Sequence, residues 1–278
     1  GRRVSVSSRA DLPAVRRLVV KVGSSSISGD NAANIQPLVE ALAAAHGRGT
    51  EVVLVSSGAI ATGMPFLALD ARPSDLATQQ AAAAVGQNIL VYRYQEALRP
   101  FAVVAGQVLL TAGDLENPTH RSNARRAMER LLGLRILPIV NENDTVATHE
   151  IRFGDNDRLA ALVAQLISAD ALVLLSDIAC LYTRPPDEPG ARPIAEVPYG
   201  DDLSGYEFGS VVVNSVGTGG AATKVSAARL AAGAGVAVLV TSIDLVESAL
   251  GGGEVGTWFA PNPHPVEHPL TGPVLTRR

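Results

Sequence analysis

The sequence predicts an α/β fold: a three-layer αβα sandwich around a mainly parallel central sheet. Three observations lead there. Short continuous apolar runs recur along the chain, with longer alanine-rich stretches of helical periodicity between them. The runs are apolar throughout instead of alternating, as strands buried on both faces require. Hydrophobic residues make up 47% of the chain and aromatic ones only 4%, so the core has to be aliphatic.

Taken in order, RLVVKVG and EVVLVSS read as buried strands, with IQPLVEALAAAHG between them as a helix ended by Gly47. ATQQAAAAVGQNILVYRYQEAL reads as a helix and FAVVAGQVLL as the next strand. NARRAMERLLG is a helix, RILPIVN a strand, RLAALVAQLIS a helix and DALVLLS a strand. TKVSAARLAAGAG followed by VAVLVTS repeats the pattern. The proline-, glycine- and acid-rich TRPPDEPGARPIAEVPYGDDLSG reads as a loop or excursion at a boundary between two lobes of one domain. Residues 1–17 and 261–278 read as tails flanking a domain over 18–260.

Composition narrows the function. A formal net charge of −4 argues against nucleic acid or a membrane surface as the main partner. The single cysteine, Cys180, excludes an internal disulfide framework and a cysteine-cluster zinc site. The N-terminal stretch has no apolar core of a secretory signal, and no apolar run reaches membrane-span length. The expectation is a soluble, cytoplasmic protein.

Four expected strands run straight into polar clusters at their C-terminal ends: VVKVGSSS, VLVSSGA, LPIVNEND and LVLLSD. Open α/β sheets bind ligands at that edge, where helix N-termini aim their amides outward. The densest cluster is IVNENDTVATHEIRFGDND, which crowds Asn141, Asn143, Asp144, Asp155, Asn156 and Asp157 together. Such residues are costly inside helices and strands because they compete with the backbone for hydrogen bonds. Lys21 lies within an apolar strand, either snorkelling from an edge or held for an anion beside Gly23 and Ser24–Ser26. GTGGAATK (217–224) departs from the P-loop pattern but fits a loose G-x-G-x-x-A, and it also reads as a flexible connection before a helix. VSSGA lacks the G-x-S-x-G elbow, and the five histidines have no metal-ligand spacing. Arg121, Arg125, Arg126 and Arg130 read as a solvated helix face, and Cys180 as a structural thiol.

In this order, VVKVGSS, VLVSSGAIATG, AAVGQ, GQVLLT, NENDTVAT, FGDNDRLAALVA, LLSD with LYT, GTGGAATK and GTWF resemble the glutamate 5-kinase branch of the amino-acid kinase family. The resemblance runs from about Leu18 to Phe259, and NEND followed by GDND separates this branch from the N-acetylglutamate kinases. It implies phosphoryl transfer from ATP, with Mg²⁺, to the side-chain carboxylate of glutamate, the first step of proline biosynthesis. It implies that Lys21 and Lys224 steady the transferred group and that Asp157 orients both. Ser57, Asp144 and Asn156 match glutamate-binding positions. Lys21, Ser176, Asp177 and the run Thr218, Gly219, Gly220, Ala221, Ala222, Thr223 and Lys224 match nucleotide-binding ones. No residue is implied as a direct metal ligand. The part over about 18–165 would bind the acceptor and that over about 166–260 the nucleotide. The family further implies a homo-oligomer, feedback inhibition by proline and a downstream glutamyl phosphate reductase.

Elementary chemistry fits those implications. A carboxylate with pKa near 4.3 is ionised at neutral pH, so the acceptor needs no general base. The task is to bring two anions together, which rests on positioning and on cations. The free ammonium of the acceptor needs an anion such as Asp144, and its α-carboxylate needs donors such as Ser57.

The chain departs from the family pattern at Ala179-Cys180, where a glycine usually precedes Leu-Tyr, at Pro185-Pro186 and at Ala221, often methionine. Many members continue into a PUA domain, whereas this chain ends at Arg278. Three other readings stay open on sequence. One is a paralogue phosphorylating another glutamate-like carboxylate in a specialised pathway. The second is a non-catalytic amino-acid sensor. The third is an NAD(P)-binding oxidoreductase, which leaves Lys224 unexplained.

Overall fold

The computed structural model describes residues 4–147, 156–206, 212–213 and 218–266. Its strands are β1 (Arg17–Val22), β2 (Glu51–Ser56), β3 (Ala105–Leu110), β4 (Leu137–Glu142), β5 (Ala171–Ser176), β6 (Glu196–Val197), β7 (Val212–Val213), β8 (Thr218–Gly219), β9 (Ala237–Ser242) and β10 (Thr257–Phe259). Its helices are α1 (Ile35–Gly47), α2 (Ala59–Gly63), α3 (Leu76–Leu98), α4 (Ala112–Glu116), α5 (Pro118–Gly133), α6 (Asp157–Leu166), α7 (Ala221–Gly233) and α8 (Val246–Leu250).

Eight strands form one sheet in the order β3-β4-β2-β1-β5-β9-β10-β6, and β7 pairs with β8 separately. Every neighbour in the large sheet is parallel except β9 and β10. Strands β1, β4, β5 and β9 are buried at every residue. One apolar cluster unites Leu18, Val20 and Val22 with Leu38 and Leu42 of α1, Leu90 and Tyr94 of α3, and Leu250 of α8. The opposite cluster unites Val19, Val53 and Val55 with Met128 of α5, Leu159 and Val163 of α6, and Ala228 of α7. This is the expected αβα sandwich, because strand side chains alternate between two helical layers.

That alternation settles Lys21. It shares the face of Val19, toward α6 and α7, on the central strand β1, and it is 0% exposed. The edge-strand reading is therefore excluded.

Three expectations need correction. The strand expected from Phe101 begins only at Ala105, because Arg99–Phe101 form a 3-10 turn and Ala102 has φ 55°. The β3 strand is also not buried throughout: Gln107 and Leu109 are exposed, as befits a sheet edge. The excursion after Thr183 returns to the sheet as β6, with a bridge between Tyr182 and Pro193 on the way.

Candidate active site

The C-terminal ends of β1, β2, β4, β5 and β9 gather the polar clusters, and two helix N-termini complete the place. Asp157 is the first residue of α6, and Lys224 lies in the first turn of α7. Asp157 Oδ1 is 2.7 Å from Lys21 Nζ, and its Oδ2 is 3.1 Å from Lys224 Nζ. The carboxylate is 1% exposed, Lys21 0% and Lys224 6%, so one buried anion carries two buried cations. Burial pushes the Asp157 carboxyl up, but Lys21 and then Lys224 outweigh it and hold it down at about 2. Thr223 Oγ1 donates to Asp157 Oδ2 at 3.2 Å and closes the first turn of α7 by accepting the Gly220 backbone N–H at 3.2 Å. The net charge of this trio is positive, at a point where the helix dipoles of α6 and α7 also favour an anion.

Asn156, immediately before α6, sits at φ 75°, a left-handed geometry that asparagine tolerates. It is 2% exposed. Its Nδ2 donates to the Ser56 carbonyl at 2.9 Å and to Asn141 Oδ1 at 2.6 Å, while its Oδ1 is buried without a hydrogen-bond partner among the described residues. An unpaired buried acceptor is costly unless a ligand answers it. Asn141 Nδ2 donates in turn to Gln87 Oε1 of α3 at 2.7 Å.

Ser57 follows β2, is buried, and donates from Oγ to the Val22 carbonyl at 3.2 Å. Gly58 then turns the chain at φ 100° into α2. The short α2 lies hard against α3: a Cβ on Gly86 would fall 1.6 Å from the Ala59 carbonyl oxygen, and one on Gly63 1.9 Å from that of Ala82. This contact is why the alanine-rich AAVGQ stretch contains a glycine, and it ties the Ser57 turn to the helix that carries Gln87. Asp144, half-buried beyond β4, lines a cavity of about 210 Å³ together with Gln87, Asn88, Gln107 and Thr145.

On the other side of β1, Ser176 ends β5 and its Oγ accepts the Ile178 amide at 3.2 Å. Asp177 is exposed and takes the Ser25 and Ser26 hydroxyls at 3.1 and 3.0 Å, fastening the loop after β1 to that after β5. Gly220, Ala221 and Ala222 lead into α7 and are half-buried, and Thr218–Gly219 form β8 against Val212–Val213. Ser242 ends β9 beside Ser176, with its hydroxyl buried and without a hydrogen-bond partner among the described residues. Gly154, Asp155 and Gly217 lie outside the described residues.

The structure thus brings Lys21, Asp157, Lys224 and Thr223 into direct contact and joins Asn156 to them along the chain. Ser57 lies at the end of β2, next to β1, while Asp144, Ser176 and Asp177 sit further along the same edge. Sequence reasoning placed Asn141 in the polar cluster but missed the Gln87 amide, which lies on a helix with weak amphipathic patterning, where only the contact itself identifies it. Among the described residues no group of three or more His, Cys, Asp or Glu could hold a metal ion.

A model of the amino acid kinase family matches residues 16–242, most of the chain. This chain belongs to the amino acid kinase family. It is similar to a glutamate 5-kinase of Clavibacter michiganensis subsp. michiganensis (strain NCPPB 382), 71% identical over 93% of this chain and 99% of that protein. A glutamate 5-kinase of Leifsonia xyli subsp. xyli (strain CTCB07) is 70% identical over 93% and 96% respectively. The fold is also that of a carbamate kinase from Giardia lamblia bound to AMP-PNP, with a TM-score of 0.65, 18% identity, and coverage of 90% of this chain and 100% of that one.

Proposed function

We propose that this amino acid kinase transfers a phosphoryl group from ATP to the side-chain carboxylate of L-glutamate, giving L-glutamyl 5-phosphate and opening proline biosynthesis. The observation that carries the reading is the buried Lys21–Asp157–Lys224 trio. Among the described residues, two ammonium groups meet one carboxylate in a site sheltered from water, where cations act most strongly on developing negative charge. The glutamate 5-kinases at 71% and 70% identity support the choice of acceptor.

In this reading Lys21 and Lys224 stabilise charge on the phosphoryl group in transit, and Asp157 keeps the two ammonium groups aimed at one point. Thr223 fixes the first turn of α7 so that Lys224 keeps its position. Asn156 offers its Oδ1, without a hydrogen-bond partner among the described residues, and Asp144 its carboxylate to the acceptor's ammonium, while the Ser57 hydroxyl would turn from the Val22 carbonyl to the α-carboxylate. Ser176, Asp177 and the segment Thr218–Lys224 form the nucleotide side. The acceptor part would then run over about 18–165 and the nucleotide part over about 166–260.

Mg²⁺, when bound, supplies further positive charge on the phosphates. The donor set suits an ion carried chiefly on nucleotide oxygens, since Asp157 is already engaged by two ammonium groups and Asp177 by two hydroxyls. A cytoplasmic location fits the absence, among the described residues, of any helix long and apolar enough to cross a membrane. A homo-oligomer fits the exposed Phe66, Tyr92, Phe101 and Val104. Feedback by proline and delivery of the acyl phosphate to a glutamyl phosphate reductase complete the proposal.

The test is ADP release from MgATP across L-glutamate, N-acetyl-L-glutamate, L-aspartate and close glutamate analogues. Turnover on L-glutamate above the others is expected. Strong turnover on another acid with none on L-glutamate overturns the acceptor assignment.

A further inference from the structure

The amide chain beside the catalytic trio has a polarity that the backbone dictates. Asn156 Nδ2 meets the Ser56 carbonyl, which can only accept, so the NH₂ end of Asn156 must face inward. Asn141 Oδ1 takes both that NH₂ at 2.6 Å and the Glu142 backbone N–H at 2.8 Å, and a backbone N–H can only donate. Asn141 is therefore fixed as well, with its NH₂ turned to Gln87 at 2.7 Å. The Gln87 atom that receives it has to be Oε1. By elimination, the NH₂ of Gln87 is the end left for the cavity of about 210 Å³ that Gln87 shares with Asp144.

From this we infer that Gln87 is a specificity-determining residue whose Nε2 donates to the α-carboxylate of the acceptor. Asp144 takes the ammonium within the same cavity. The inference rests on the acceptor reading above and deepens it. A cavity below the roughly 300 Å³ lower bound of drug-sized pockets suits a small metabolite. One side with a donor and one with an anion match the two charged groups on a single α-carbon. Neither Oε1 nor Nε2 of Gln87 can exchange roles without reversing Asn141 against a backbone N–H, so the donor is held in place before the acceptor arrives.

The experiment compares L-glutamate with its α-carboxamide, isoglutamine, in the wild type and in Gln87→Glu. KM is measured by ADP release, or an inhibition constant where turnover is too slow. Gln87→Glu keeps an oxygen for Asn141 and replaces the outward donor by a carboxylate. KM for L-glutamate is expected to rise about 30-fold, as for loss of a hydrogen bond to a charged group. The value for isoglutamine should stay within about threefold, because its amide can donate to the new carboxylate. If Gln87→Glu fails to fold by thermal melting, Gln87→Met takes its place, with a rise of about 10-fold for glutamate and again no matching rise for isoglutamine. Equal changes for both compounds, or a loss confined to kcat, overturn the inference and leave Gln87 as a structural member of the amide chain. Wild-type protein inactive on L-glutamate but active on another acid overturns the acceptor reading, and this inference with it. Wild-type activity on L-glutamate with an unchanged discrimination ratio overturns this inference alone.

Discussion

Replacing Asp157 by asparagine changes almost no volume and removes the negative charge that, among the described residues, two buried ammonium groups share. At an effective dielectric near 20, each contact of about 3 Å is worth on the order of 5 kcal/mol of attraction. Most of that offsets the desolvation of three charged groups, so the net loss is smaller. Breaking a buried pair by removing one partner typically costs about 3–5 kcal/mol, because it leaves uncompensated charge behind. For a chain of this size that corresponds to a fall in Tm of roughly 6–20 °C. Without the shared carboxylate the two lysines also repel and lose their common aim, so kcat should fall by about 10²–10³-fold or more. Differential scanning calorimetry at pH 7, with and without MgATP, reads the first effect, and ADP release reads the second. Polyphosphate should raise the Tm of the variant more than that of the wild type, since it replaces the missing anion. A variant melting within about 2 °C of wild type with kcat within about threefold would refute the electrostatic account of the trio.

The same carboxylate predicts an acid limb of stability. Its pKa is about 2 folded against 3.8 for the ordinary group, so its contribution is present above about pH 4 and lost as pH falls toward 2. Urea midpoints between pH 5 and pH 2 should fall by the equivalent of about 2 kcal/mol more in wild type than in Asp157→Asn. Lys224→Ala should reduce kcat by about 10²–10³-fold while Asp157 keeps its Lys21 partner, so Tm changes little; stopped-flow or steady-state ADP release checks this. Asp144→Asn should raise KM for L-glutamate by about 10-fold or more with kcat retained, and a normal KM would count against its ammonium-binding role. Gly86→Ala should cost several kcal/mol, because a Cβ 1.6 Å from the Ala59 carbonyl forces α2 away from α3; the chemical-denaturation midpoint measures it, and an unshifted midpoint would argue against the tight helix contact.

Much of this protein is legible locally. An uninterrupted apolar run such as that of β1 announces burial on both faces, and alanine-rich periodicity announces the helices that cover it. The polar bursts after β1, β2, β4 and β5 mark the edge proposed to bind ligand, because asparagine, aspartate and serine have no reason to cluster where regular structure continues. The exceptions have physical causes. Phe101–Val104 reads as strand because it is apolar, yet Ala102 takes a left-handed turn and the strand starts at Ala105. The β10 strand is too short for periodicity to reveal, and its antiparallel pairing with β9 depends on a chain reversal near Gly256, at φ 72°.

The sequence by itself determined the layers, the parallel sheet, its polar edge and, through the order of its motifs, the family resemblance. The resemblance implied that Asp157 orients Lys21 and Lys224, but only the tertiary structure decided that both touch its carboxylate while buried, that α2 and α3 touch through glycines, and that Gln87 ends an amide chain begun at Asn156. The reason is that periodicity and turn chemistry are properties of neighbours along the chain. Charge pairing and hydrogen-bond polarity instead arise between residues far apart in sequence, once sheet order and crossover connections bring their strand ends together.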